Sequence, residues 1–243
     1  QRRRNDALRH ELNRLADQES AVALVAATEE RLSQQIDAIR PPKREQLRIL
    51  YVTAAARGDL RVDEEIRRVK AAVRAATHRD QVLIEHLPAA TPSDFLDGLT
   101  RLRPHVVHFS GHADEGFLEF DSGQSARGPG TVVTAAAFQS AVNAPDEPPL
   151  IVVLNACKSA AQLNSLLGRV AIAIGMSDSI GDADAITFAT RFYRTLAEGQ
   201  SLSAAMATAR ADMEMNGLPD HDLPTMALLP GLDPTKVQLV IGD

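Results

Sequence analysis

"HVVHFSGHA" (residues 105–113) is apolar at Val106, Val107 and Phe109, carries His108 among them, and ends on Ser110, Gly111 and His112. A run of this kind, rich in β-branched and aromatic residues, predicts a buried strand. A second run of the same form, "LIVVLNACKS" (150–159), ends on the only cysteine of the chain, Cys157. Both strands would therefore stop on a residue whose side chain can do chemistry.

Working outward, "RILYVTA" (48–54), "QVLIEHL" (81–87) and "VAIAIGM" (170–176) are further apolar runs, and amphipathic segments separate them. The segment 63–77 places Ile66, Val69 and Val73 on one helical face and opens with acidic residues that suit a helix N-terminus. Thr91 or Ser93 can cap a helix carrying Phe95, Leu96 and Leu99. "FLEF" (117–120) predicts a hairpin arm, and "DSGQSARGPG" (121–130) a loop. Helices are expected near 134–143, near 160–168, and over 182–199 and 201–215. The tail "KVQLVIG" (236–242) reads as a sixth strand. Strands apolar throughout and separated by amphipathic helices predict an α/β fold with a mainly parallel sheet and helices on both faces. In such sheets ligands sit outside the carboxyl ends of the strands, which is where His112 and Cys157 fall.

Residues 1–45 differ in composition. Leu8, Leu12 and Leu15, then Leu32, Ile36 and Ile39, follow helical spacing, so one long helix or a helical hairpin is expected, ended by Pro41-Pro42. The catalytic-looking segment is expected to run from 46 to 243. The chain opens on Gln1 rather than Met, so it is expected to be part of something longer.

With 243 residues, 44% of them hydrophobic, the chain can bury a sizeable core. A net charge of −6 gives no global basic field for nucleic acid, and "QRRR" at the start reads as a solvated helix end. A single cysteine excludes an internal disulfide framework and a multi-thiolate zinc site. No apolar run has the length of a membrane span. A cytoplasmic protein without cofactor is expected.

The residues alone allow two readings of His112 and Cys157. In one, an imidazole beside a thiol lowers its pKa and later protonates a leaving amine, as in a cysteine nucleophile with its base. Backbone N–H groups of Cys157 and Ala113 would then stabilise the oxyanion, and Gly111 would let the chain turn beside the histidine. In the other, Cys157 is a small core hydrophobe and His112 a hydrogen-bonded structural residue. His108 and His112 make an H-x-x-x-H, but on a strand the two are more than ~12 Å apart, too far for one zinc ion. "TAAARGDLR" (53–61) has no phosphate-cradling glycine spacing, and its "RGD" reads as a chance tripeptide. "GMSDS" (175–179) lacks the last glycine of a nucleophile elbow.

"HVVHFSGHADEG", "VVLNACKSA" and "AIGMSDSIGDADAITFATRFYRTLAEGQSLSAAMATAR", in that order, resemble the CHAT family of caspase-like, clan CD cysteine peptidases, relatives of separase. "RILYVTAAARGDLRVDEEIRRVKAAV" is similar to the first strand and helix of bacterial members. The resemblance covers roughly residues 46–216. It implies a caspase-hemoglobinase fold with His112 and Cys157 as a catalytic dyad and a protein as substrate. One departure is Ala113, where the family usually has glycine. "MSDSIGD" (176–182) loosely resembles, with a gap, the segment in which separase-like relatives receive a basic P1 side chain. That makes Asp178 and then Asp182 candidates for substrate binding, although Asp182 could equally cap the helix that follows it. The resemblance further implies a regulated effector in bacterial defence or programmed death, signalled by a partner or a domain docking on residues 1–45. A catalytically silent interaction module and a flavodoxin-like ligand-binding domain are the competing readings.

Overall fold

The computed structural model describes residues 46–123 and 129–241. The chain forms two units, 1–45 and 46–243. The helix or hairpin expected at the amino end, and part of the loop expected at 121–130, lie outside the described residues.

Strand β1 (Leu47–Ala54) leads to α1 (Val62–Arg74), β2 (Val82–Leu87), α2 (Pro92–Leu102) and β3 (Val106–Gly111). Three short strands follow, β4 (Ala113–Asp114), β5 (Phe117–Phe120) and β6 (Thr131–Thr134), then α3 (Ala135–Asn143) and β7 (Ile151–Asn155). The chain continues through α4 (Leu163–Leu166), β8 (Ile172–Met176), α5 (Asp182–Ala197), α6 (Leu202–Met215) and β9 (Pro224–Leu228). The main sheet has six strands in the order β2-β1-β3-β7-β8-β9. All neighbours run parallel except β9, which is antiparallel to β8. A separate three-stranded antiparallel sheet, β4-β5-β6, projects from the end of β3.

Period-two alternation divides each central strand between two buried layers. Ile49, Tyr51, Val106, Ile151, Val153, Ile172 and Ile174 face the layer covered by α1, α5 and α6. Leu50, Val52, Val107, Phe109, Val152, Leu154 and Ala173 face the layer covered by α2, α3 and α4. Both faces being covered explains why these strands lack the polar alternation of half-exposed sheets. Thr91 provides the N-cap of α2, in a reciprocal capping box with Asp94, which decides between Thr91 and Ser93.

The sixth strand is β9, "PTMAL", and not the tail expected at 236–242. The tail crosses the start of α6 instead: the Leu202 N–H donates to Val237 O at 2.8 Å, and Ser201 bridges Gln238. Its apolar residues Val237, Leu239 and Val240 pack on the α1/α5/α6 layer. Burial by helix packing produced the apolar signal that resembles a strand.

Gly111 ends β3 opposite Ala54, and a Cβ placed there would lie 2.5 Å from Ala54 O. It is absent from the positive-φ glycines, so its role is close approach between strands and not the sharp turn expected of it. Gly111→Ala is expected to destabilise the fold by about 1–3 kcal/mol through overpacking, measured by chemical denaturation. Unchanged stability would mean that β1 and β3 part freely at this end.

Candidate active site

Adjacent strands β3 and β7 run parallel, with Ser110 opposite Asn155. His112 lies just beyond the carboxyl end of β3, and Cys157 just beyond that of β7. The two residues line one cleft together with Glu65, Ser110, Asn155 and Asp182. Cys157 is partly exposed, and no hydrogen bond joins its thiol to the imidazole.

The turn that carries Cys157 is fixed from several sides. Lys158 takes a left-handed conformation at φ +50°, and its N–H donates to Asp178 O at 3.1 Å. The buried Ser159 hydroxyl lies 2.8 Å from Leu154 O and 2.7 Å from Ala156 O, and accepts from the Met176 N–H at 2.9 Å. A non-glycine residue in this conformation needs surroundings that over-determine it, and these contacts provide them. No hydrogen bond among the described residues engages the Cys157 N–H.

His112 is held by a residue that sequence reasoning passed over. Its Nε2 lies 2.8 Å from Oδ1 of Asp59, in the loop between β1 and α1. The hydrogen bond to His112 is the largest effect holding the Asp59 carboxyl below its usual pKa, and the Arg57 charge acts in the same direction. The interaction is therefore present while the carboxylate is ionised and is lost as pH falls through that lowered value. An ionised Asp59 accepts from Nε2–H, which leaves Nδ1 as the ring nitrogen free to exchange a proton. Asp59 is the aspartate of the "RGD" tripeptide; only the folded loop brings it to His112.

On the other side of His112, the Glu119 N–H donates to His112 O at 2.9 Å. The β4–β5 register opposes Ala113 to Leu118 and Asp114 to Phe117. Antiparallel pairs alternate between bonded and non-bonded, so Ala113 occupies a non-bonded pair and its N–H points away from β5.

Beneath the cleft lies a buried polar network. His108 is fully buried, stacked on Tyr51 with ring centroids 4.1 Å apart. Its Nδ1 meets the Tyr193 hydroxyl at 2.9 Å and its Nε2 meets Glu65 Oε1 at 3.2 Å. Tyr51 donates to the same Glu65 oxygen at 2.5 Å, and Asn155 Nδ2 donates to Glu65 Oε2 at 3.0 Å and to Ala185 O at 3.2 Å. Burial, then the negative charge of Glu65, pushes both tyrosine hydroxyls to well above their usual pKa. One assignment satisfies the centre: Tyr193 donates to Nδ1, and Nε2–H and Tyr51 donate to Glu65. Tyr51, His108 and Asn155 all reach Glu65 because alternation places them on the α1 face of adjacent strands. Asn155 Oδ1 is buried without a partner among the described residues, since both acceptors hold the amide by its nitrogen.

The two aspartates named from the sequence are placed differently. Asp182 lines the cleft as the first residue of α5, behind a Gly181 N-cap, and its Oδ2 accepts from the Arg61 N–H at 3.2 Å. It thus links the starts of α5 and α1 and makes no cap. Asp178 is exposed, lies outside the cleft lining, and uses its carbonyl to hold Lys158. Among the described residues, no group of three His, Cys, Asp or Glu side chains could hold a metal ion, and no helix is long and apolar enough to cross a membrane.

A mainly parallel six-stranded sheet covered on both faces, with a small antiparallel sheet at one strand end, defines a caspase-like α/β protein. Caspase-1 from Spodoptera frugiperda is similar at a TM-score of 0.50 and 8% identity, over 76% of this chain and 87% of that one. The Arg-specific cysteine proteinase gingipain R gives a TM-score of 0.48 and 13% identity, over 77% of this chain and 46% of its own. A model of the family described as the CHAT domain matches residues 4–225, and the chain belongs to that family of caspase-like, clan CD cysteine peptidase relatives. The match begins well before residue 46, where the resemblance quoted above starts. No curated protein matches the chain by sequence.

Proposed function

We propose that the protein is a cysteine endopeptidase with Cys157 as nucleophile and His112 as acid and base. The observation that carries this reading is a single cleft, at the carboxyl ends of adjacent strands, lined by both residues, with Asp59 hydrogen-bonded to the imidazole. His112 Nδ1 takes the thiol proton, and the thiolate attacks the scissile carbonyl. The N–H of Cys157, with no acceptor of its own, and that of Ala113, turned away from β5, are suited to the oxyanion. Alanine in place of glycine at 113 keeps that donor. His112 returns the proton to the departing amine, and a water activated by the same nitrogen hydrolyses the thioester.

A basic P1 side chain is the preference that the cleft supports. Glu65 is 3% exposed, accepts from Tyr51, His108 and Asn155, and has no lysine or arginine within salt-bridge distance among the described residues. A buried carboxylate is costly unless paired and hydrogen-bonded, and a substrate cation would add a charge partner to its hydrogen bonds. Asp182 and the unpartnered Asn155 Oδ1 add acceptors to the same lining. The family supports the wider reading of a regulated cytoplasmic effector in a bacterial defence or death system, acting on a protein and signalled through residues 1–45.

The test is a P1-randomised peptide library incubated with the full chain and with Cys157→Ala. Cleavage after arginine or lysine, absent in the variant, is expected. Cleavage retained by Cys157→Ala would overturn the mechanism, and turnover without basic preference would overturn the specificity.

A further inference from the structure

One buried carboxylate on the rim of the site takes no part in the chemistry above, yet three chain segments converge on it. Glu119, in β5, is 4% exposed. Arg57, from the loop between β1 and α1, donates to it through Nε at 3.2 Å and Nη2 at 2.6 Å. The Gly130 N–H, just before β6, donates to Oε1 at 2.9 Å. The Glu119 backbone N–H donates to His112 O. Gly130 is required for this close approach, because a Cβ there would lie 2.2 Å from Phe120 O and 2.7 Å from Glu119 Cγ. Burial would raise the Glu119 pKa, but the Arg57 and Gly130 hydrogen bonds, with the Arg57 charge and His112 acting in the same direction, outweigh it and hold the group below the usual carboxylate range.

Arg57 is two residues from Asp59, in a loop otherwise tightened by the Gly58 N–H to Ala55 O bond at 2.8 Å. Asp59 is itself about half exposed, so its aim at His112 depends on where the loop is held. A two-bond arginine–carboxylate contact fixes orientation as well as distance. We propose that Glu119 is a positioning residue for His112: it anchors the strand end bearing His112 and, through Arg57, the loop that aims Asp59 at the imidazole. The inference rests on the peptidase reading for its kinetic consequence and on geometry alone for its effect on the ring.

The test is a double-mutant cycle in the full chain between Arg57→Met and Asp59→Asn. Arg57 is largely exposed, so its replacement spares the core. Should Arg57→Met lower the melting temperature appreciably, Arg57→Met combined with Glu119→Gln leaves no unpaired buried charge and takes its place. Kinetics on a basic-P1 peptide are read beside the long-range 1H–15N spectrum of the His112 ring. Arg57→Met is expected to lower kcat roughly tenfold with KM little changed, as a small misplacement of a catalytic group does. It should lower kcat no further on the Asp59→Asn background, and it should move the His112 ring signals toward those of Asp59→Asn. Additive losses, or an unchanged ring spectrum, would overturn the proposal. If no peptide is cleaved, the peptidase reading fails and the ring spectrum still decides whether Glu119 and Arg57 hold Asp59 on His112.

Discussion

His112→Ala is expected to lower kcat/KM for peptide cleavage by about a thousandfold while leaving the fold intact. Positioned acid–base catalysis contributes on the order of 10²–10⁴, and this imidazole serves twice, removing the thiol proton and then protonating the amine. The side chain is 25% exposed and its ring partner among the described residues, Asp59, is 51% exposed, so its loss strands no buried group there. Stability should change by no more than about 0.5 kcal/mol. Asp59→Asn should have a smaller effect, because the base survives and only its orientation and tautomer are released. Thermal denaturation together with steady-state kinetics on both variants checks the contrast. Equal losses for the two would place the basic nitrogen elsewhere.

Glu65→Ala is expected to be the most destabilising single substitution in the polar interior. It removes the acceptor of Tyr51, His108 and Asn155 at once, in a place where the first two are fully buried. Each stranded buried donor costs about 1–3 kcal/mol, so a total of about 4 kcal/mol is expected, or a melting temperature lower by roughly 10 °C. Glu65→Gln keeps an acceptor for two of the donors and should cost less. Glu64, the preceding residue, pairs with Arg61, Arg67 and Arg68 at the surface, and Glu64→Ala should fall within about 1 kcal/mol of the parent. Similar shifts for Glu64→Ala and Glu65→Ala in a denaturation series would contradict the buried network.

The contrast between these neighbours shows what the sequence could convey. Apolar runs revealed the sheet because parallel strands buried on both faces need no polar residue between their ends. The same property made His112 and Cys157 conspicuous as strand endings. Glu65 was hidden because acidic residues at a helix start are ordinarily explained by the helix dipole. A signal existed: Glu65 lies on the stripe continued by Ile66, Val69 and Val73, where a carboxylate must be buried. Asp59 left no signal, since its contact with His112 spans 53 positions and depends on how one loop closes. The tail misled for a related reason, because Val237, Leu239 and Val240 satisfy an apolar surface that helices and strands present alike.

The central claim is that Cys157 and His112 form one chemical unit. The most direct measurement is the alkylation rate of Cys157 against pH, for the parent chain and for His112→Ala. Fast alkylation below pH ~7 that drops in the variant is the predicted result, because the imidazole then sustains the thiolate. A slow rate in the parent, unchanged by removal of His112, would contradict the account and leave the cleft to a binding role.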